Sequence, residues 1–300
     1  MRNRYVIILT ALCLQCIATV ANVASAQVLC APDTTDGIIH RREVYKSVDT
    51  FNLKIDIFYQ VNKTGKGNRP AIVFFHGGGW AYGKPDEFFT TCQRYARLGY
   101  VTFSVDYRLS NRNGEVPVKG ITPVECVMDA RSAMRFVRKN AERLYIDTNR
   151  IVAAGQSAGG QLALSTAMID RYNEKSDDAN ISCRPDAIIL FSSCINTLEG
   201  WCDHLLGDRR EQIWSISPFH HVKPGLPPMI EFHGTYDDQV PAWTARYFAN
   251  EMEKAGNYFE LHLYEGKRHY LGEGNAKYSN YYNEDVLELT DKFLGKFVNR

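Results

Sequence analysis

Six short apolar runs recur along the chain, at residues 71–75, 101–105, 151–154, 187–191, 229–232 and 259–264. Longer stretches with apolar residues at helical spacing lie between them, notably 126–137, 161–169 and 242–255. Buried strands that alternate with helices predict a mostly parallel sheet covered on both faces, a three-layer α/β/α architecture. Two earlier segments differ. Leu53, Ile55, Ile57 and Tyr59 alternate with polar residues, the pattern of a half-buried strand. With residues 38–48 this strand makes an antiparallel start to the sheet, and 62–69 reads as a polar, glycine-containing turn. Val286, Leu289, Phe293 and Phe297 share one face of a closing helix. In such sheets sites form beyond the carboxyl ends of the strands, so the residues after each strand carry the functional information.

Residues 1–26 stand outside this pattern. Arg2 and Arg4 precede an apolar stretch broken only by Thr10, Gln15 and Thr19, and Ala24-Ser25-Ala26 follows. That is the layout of a cleaved secretory signal peptide, and the apolar stretch is short for a membrane anchor. The expectation is therefore a signal peptide at 1–26 and a single catalytic domain at 27–300, exported to the periplasm or beyond. Cleavage removes two basic residues and no acidic one, so the net charge of +1 becomes −1. A chain so balanced lacks the basic face that nucleic acid requires. No other segment is apolar enough to span a bilayer. No stable membrane anchor is therefore expected after cleavage, and nothing in the sequence fixes an oligomeric state.

Eight cysteines are present, and Cys13 and Cys16 leave with the signal peptide. The remaining Cys30, Cys92, Cys126, Cys183, Cys194 and Cys202 form an even set, which in an exported protein suggests disulfides. Free buried thiols are the alternative. These six contain no C-x-x-C pair, so the set does not resemble a zinc site.

After the run at 151–154 comes Gly155-Gln156-Ser157-Ala158-Gly159, with helical spacing beyond it. A G-x-S-x-G sequence between strand and helix is the context of a nucleophile elbow. Its sharp turn projects the Ser157 hydroxyl at a helix N-terminus, whose free N–H groups favour developing negative charge. After the run at 71–75 comes His76-Gly77-Gly78-Gly79-Trp80. Consecutive glycines let backbone amides approach a ligand, and this is the HGGG type of oxyanion loop, completed by the N–H of Ala158. His76 is read as orienting that loop. Trp80 either lines the acyl pocket or packs beneath it.

After 229–232 comes His233-Gly234-Thr235-Tyr236-Asp237-Asp238-Gln239-Val240-Pro241, and after 259–264 comes Glu265-Gly266-Lys267-Arg268-His269. An acid after a late strand and a histidine after the last give the chain order Ser, Asp, His. His269 would act as general base, and either Asp237 or Asp238 could orient it. His233, at a strand end, and His262, inside a strand, are read as structural.

These residues together resemble a known group. His76–Trp80, Asp106-Tyr107-Arg108-Leu109 and Gly155–Gly160 are similar to the α/β-hydrolases known as hormone-sensitive-lipase-like esterases. Ser217-Pro218, Leu226-Pro227-Pro228 and the H-G-T-x-D-x-x-V-P sequence at 233–241 are closer to the bacterial bifunctional feruloyl and acetyl-xylan esterase-like branch. Lys254-Ala255-Gly256-Asn257 and Tyr264-Glu265-Gly266 also look like this branch. The resemblance spans about residues 50–298. It implies the triad Ser157, Asp237 and His269, with oxyanion amides from Gly78, Gly79 and Ala158, and it assigns Asp106 and Arg108 to structure.

It implies a serine carboxylesterase acting on small acyl esters, with carbohydrate-linked acetyl or feruloyl esters as candidates. No metal and no organic cofactor is required. An amide hydrolase, peptidase or arylformamidase on the same fold is the alternative, and a non-catalytic binding protein the more distant one. Tyr270 departs from the branch, which commonly has glycine after the histidine. The cysteine- and tryptophan-rich region 183–214 also matches poorly and is expected to help cover the substrate.

Overall fold

The computed structural model describes residues 33–35, 37–60, 69–111, 120–198, 202–272 and 284–299. The segment 1–26, Cys30 and most of the turn at 62–69 lie outside these residues. The chain opens with β1 (Asp33–Thr35), β2 (Ile38–Val48), β3 (Phe51–Gln60) and β4 (Arg69–Phe75). Then come α1 (Phe89–Arg97), β5 (Val101–Val105), α2 (Pro123–Lys139), α3 (Ala141–Leu144), β6 (Ile146–Gln156) and α4 (Ala158–Met168). It continues through β7 (Ala187–Phe191), α5 (Asp203–Leu206), β8 (Met229–Gly234), α6 (Ala242–Lys254), β9 (Phe259–Tyr264) and α7 (Glu284–Phe297).

The described strands form one sheet in the order β1-β2-β3-β5-β4-β6-β7-β8-β9. The pairs β1–β2, β2–β3 and β3–β5 are antiparallel, and all pairs from β5 through β9 are parallel. This is the expected three-layer α/β/α arrangement with an antiparallel start. Period-two alternation splits each central strand between two cores. Ala71, Val73 and Phe75 of β4 pack with α2, α4 and α6, whereas Ile72 and Phe74 pack with α1 and α7. Helix α2 begins at a capping box: Thr122 accepts from the Val124 N–H, and Glu125 accepts from the Thr122 N–H at 2.8 Å.

Two features of the fold prepare a site. The chain leaves β4 towards β5 on one side, but leaves β6 towards β7, β8 and β9 on the other. The carboxyl ends of β4 and β6 therefore flank the point where the winding reverses, the usual place for a binding crevice. The second is a buried ionic cluster. Arg108 forks onto Asp129, Lys46 bonds Asp129 at 2.6 Å, and Glu174 accepts from both cations. Removing one member would strand a buried charge, at a cost of about 3–5 kcal/mol. The cluster anchors the segment containing Tyr107, whose hydroxyl donates to the His76 carbonyl at 2.8 Å and whose ring stacks on His76. Arg108 thus serves structure and holds the loop after β4.

Cys92, Cys126, Cys183 and Cys202 are free buried thiols. Burial pushes the Cys202 thiol up to about 12 and raises Cys92 and Cys126 strongly as well, so these sulfurs are packing groups and poor nucleophiles. Cys194 is also buried, with its Sγ 3.8 Å from the Asn196 carbonyl.

Candidate active site

Ser157 lies between β6 and α4 with φ 53° and ψ −120°. A non-glycine residue at positive φ is strained by roughly 1–3 kcal/mol, and the surroundings must hold it. They do so through the backbone. The Ser157 N–H donates to the Phe191 carbonyl at 3.0 Å, and the Ser157 carbonyl accepts from Cys194, Gly160 and Gln161. Close approach completes the clamp. A Cβ on Gly159 would stand 2.0 Å from the Phe75 carbonyl oxygen, so only glycine lets the start of α4 touch the end of β4. Ala158 is the first residue of α4, and N–H groups of a first turn have no partner inside the helix.

The glycine loop faces this elbow. Gly78 has φ 109°, and a Cβ there would meet the Tyr82 carbonyl oxygen at 2.2 Å. Gly78 and Gly79 line a pocket of about 420 Å³ together with Tyr82, Gln156, Ser157, Asp238, Gln239, His269 and Tyr270. His76 is buried beneath the loop, with Nδ1 2.8 Å from the Gly77 carbonyl. Trp80 is fully buried and donates through Nε1 to Gln161 Oε1 at 3.0 Å. It packs beneath the loop and is not among the residues lining the pocket.

His269 follows β9 and reaches the same pocket. Its Nδ1 lies 2.8 Å from Asp237 Oδ2, and the other Asp237 oxygen accepts from the N–H groups of Gln239 and Val240, each at 2.9 Å. Burial would raise the Asp237 carboxyl, but hydrogen bonds from His233 and His269 outweigh it and hold the group well below the usual carboxylate range. The carboxylate is therefore ionised at neutral pH. Asp238 has the opposite environment: exposed, on the rim, and paired with Arg268. The geometry thus separates the two adjacent acids and puts Asp237 behind the histidine.

Two neighbours of this arrangement carry no signal in the sequence. Gln156 places its side-chain amide nitrogen 3.0 Å from His269 Nε2. With the proton on Nδ1 donated to Asp237, Nε2 accepts from the amide, and that is the arrangement a general base needs. His233 is fully buried and lies against Asp237 at 3.2 Å. It sits at a strand end, as expected of a structural residue, but its contacts are with the acid of the site. The described residues of 183–214 do not line this pocket. Two of them reach α4 and its start instead: the Cys183 thiol donates to the Thr166 carbonyl at 3.5 Å, and the Cys194 N–H to the Ser157 carbonyl at 3.0 Å.

A mostly parallel sheet between helices, with nine strands among the described residues, a serine elbow at its winding reversal and an Asp–His pair after the last described strands, defines an α/β-hydrolase. The chain belongs within that class to the BD-FAE family, whose model matches residues 55–252. It is 39% identical to the solved esterase 2 of Thermogutta terrifontis, covering 88% of this chain and 96% of that one with a TM-score of 0.77. Among curated proteins it is 26% identical to the probable isoprenylcysteine alpha-carbonyl methylesterase ICMEL1 of Arabidopsis thaliana, over 72% of this chain and 48% of that protein. It is 25% identical to esterase LipC of Mycobacterium tuberculosis, over 71% of this chain and 55% of that protein. The chain spans about half the length of the curated relatives it matches.

Proposed function

We propose that this chain is a serine carboxylesterase that hydrolyses small acyl esters through Ser157, His269 and Asp237. One observation carries the reading: a serine held at positive φ opens onto the same pocket as His269 and the Gly78–Gly79 loop, with an ionised Asp237 behind the histidine.

Ser157 Oγ attacks the ester carbonyl carbon and passes its proton to His269 Nε2, which must exchange the Gln156 amide for the serine. The carbonyl oxygen becomes an oxyanion facing the amides of Gly78, Gly79 and Ala158, where each donor is worth ~3 kcal/mol of barrier. The carbon–oxygen bond to the alcohol breaks, and the alcohol leaves with the proton from His269. Water then attacks the acyl-enzyme, His269 takes its proton, and the acid departs as Ser157 regains a hydrogen. Neither a metal nor an organic cofactor enters these steps.

The pocket, at about 420 Å³, suits a small substrate. The Thermogutta terrifontis esterase 2 has been solved phosphorylated by paraoxon, propionate-bound and butyrate-bound, and these states support short acyl groups and a reactive serine here. Acetyl or feruloyl groups on carbohydrate are the proposed physiological class. With 1–26 as a signal peptide, the mature protein would begin at Gln27 and act in the periplasm or outside the cell.

The test is hydrolysis of p-nitrophenyl acetate, p-nitrophenyl octanoate, acetylated xylan, methyl ferulate and an aryl amide by the chain from Gln27. Cleavage of short esters that falls about 10⁴- to 10⁶-fold in Ser157→Ala is the expected result. Preference for the aryl amide would move the assignment to an amide hydrolase, and equal activity in the variant would remove Ser157 from the mechanism.

A further inference from the structure

We propose that His233 is a fixed imidazolium behind the triad, a positioning residue that limits how readily His269 takes up a proton by sharing the Asp237 carboxylate with it. The proposal rests on the triad reading above and extends it to a residue that touches no substrate.

The contacts of the ring favour the charge. His233 is fully buried at the end of β8. Its Nδ1 lies 3.0 Å from Glu231 Oε1, and its Nε2 lies 2.9 Å from the Val240 carbonyl oxygen and 3.2 Å from Asp237 Oδ2. The Val240 carbonyl and the Asp237 carboxylate can only accept, so Nε2 donates; Nδ1 donates as well when the proton between it and Glu231 Oε1 sits on the ring, and that imidazolium is the state we assign. Glu231 Oε1 also accepts the Ser193 N–H at 2.9 Å, which fixes the carboxylate beside the ring. Burial alone would discharge this histidine, but its bonds to Asp237 and Glu231 prevail and raise it to about 10.

Two other charged pairs nearby lie off this line. On the same face of the sheet, the register neighbours of Glu231 and His233 are Leu190, Leu261 and Leu263. The His262–Glu260 pair belongs to the opposite face, where His262 stacks on Phe232. Asp238 and Arg268 pair with each other at the exposed rim. The line of charge is therefore Glu231, His233, Asp237 and then His269.

The consequence follows from the shared oxygen. Asp237 Oδ2 lies 2.8 Å from His269 Nδ1 and 3.2 Å from His233 Nε2. A cation already bound to that carboxylate reduces what the carboxylate offers to a second one. His233 thus opposes protonation of His269 and keeps it available as a base at lower pH. Glu231 does the reverse, partly neutralising His233. The two residues should move the pH profile in opposite directions.

The experiment pairs ¹⁵N NMR of the imidazole nitrogens in the chain from Gln27 with pH profiles of kcat/KM on p-nitrophenyl acetate. Both His233 nitrogens should be protonated from pH 5 to 9. His233→Gln should move the acid limb of the profile up by on the order of one pH unit, and Glu231→Gln should move it down. A bare His233 nitrogen at neutral pH overturns the proposal, because the proton then resides on Glu231. Limbs that stay in place while Tm falls in both variants overturn it too, and leave His233 a purely structural role. The NMR result needs no variant, so it stands even where His233→Gln fails to fold. If Ser157→Ala remains active, the triad reading fails while the charge of His233 is still decided. Should no ester be turned over, the pH dependence of Ser157 labelling by paraoxon supplies the profile.

Discussion

The floor and the mouth of the pocket are built on different principles. On the floor, Ser157, Asp237 and His269 are nearly inaccessible, at 6, 8 and 2% exposure, and the side-chain contacts from His269 to Asp237 and Gln156 are buried. At the mouth, Tyr82 is 59% and Tyr270 42% exposed, and the Asp238–Arg268 pair lies open to water. Charges on the floor act at short range with little screening, whereas an exposed pair at the mouth is screened by water and salt and contributes little. On the proposed mechanism, reaction chemistry is set by the interior. Substrate choice is left to side chains that can change at small cost to the fold.

Asp237 and Asp238 give the sharpest test of this contrast, because they are adjacent in sequence and lie on either side of it. Asp237→Asn should lower kcat by about 10⁴-fold by favouring the wrong imidazole tautomer. Asp238→Asn should change kcat less than about threefold, since it breaks only an exposed pair. Steady-state rates on one short ester decide the matter, and similar losses in both variants would dissolve the distinction between floor and mouth.

How much of this was legible in the sequence differs between the same regions. The parallel strands were, because a strand buried on both faces must be apolar throughout. Strand β6 nevertheless begins at Ile146, five residues before its apolar run, because Asp147, Asn149 and Arg150 hide its start. Helix α1 buries Thr91, Cys92, Tyr95 and Ala96 on one face, but over nine residues that stripe is only about two turns long and mixes polar with apolar side chains, so it is a weak signal in the sequence. Helix α4 starts at Ala158 and not at Gln161, since Gly159 and Gly160 are poor helix formers placed there by close packing. In the site, Ser157, His269 and the glycine loop follow from motif and chain order. The side chain of Gln156 and the charge of His233 do not, because each depends on a partner more than one hundred residues away or on burial. The disposition of the cysteines is likewise a matter of three-dimensional proximity.

A second test concerns the stability of the floor. His233 is raised from an ordinary 6.5 to about 10 in the folded state. Its contribution to stability is therefore fully present below about pH 6.5 and is lost as pH rises through 10. Its contribution should fall by on the order of 3–5 kcal/mol over that interval. Urea midpoints at pH 6, 8 and 10 would show this as a steep alkaline decline in the parent chain and a shallower one in His233→Gln. Parallel curves would mean that His233 does not titrate with folding. Asp237, held low, acts at the other extreme: its contribution is present above the usual carboxylate range and is lost only in strong acid.

The smallest effect belongs to the mouth, and Tyr270 is the residue to change. The related branch commonly has glycine after the histidine, whereas here a tyrosine ring stands against His269 with centroids 5.3 Å apart and lines the pocket. A side chain there narrows the space next to the reacting carbonyl and offers apolar surface to a short acyl or aryl group. Tyr270→Gly should leave stability within about 1 kcal/mol, because the residue is exposed and helps to fill no core. It should raise KM for p-nitrophenyl acetate about two- to tenfold through lost apolar contact, while octanoate gains access. The ratio of kcat/KM for octanoate to that for acetate should therefore rise several-fold. Tyr270→Phe should keep the parent ratio, since the ring and not the hydroxyl fills the space. An unchanged ratio in Tyr270→Gly would place chain-length selection elsewhere on the rim, at Tyr82, the other aromatic that lines the pocket.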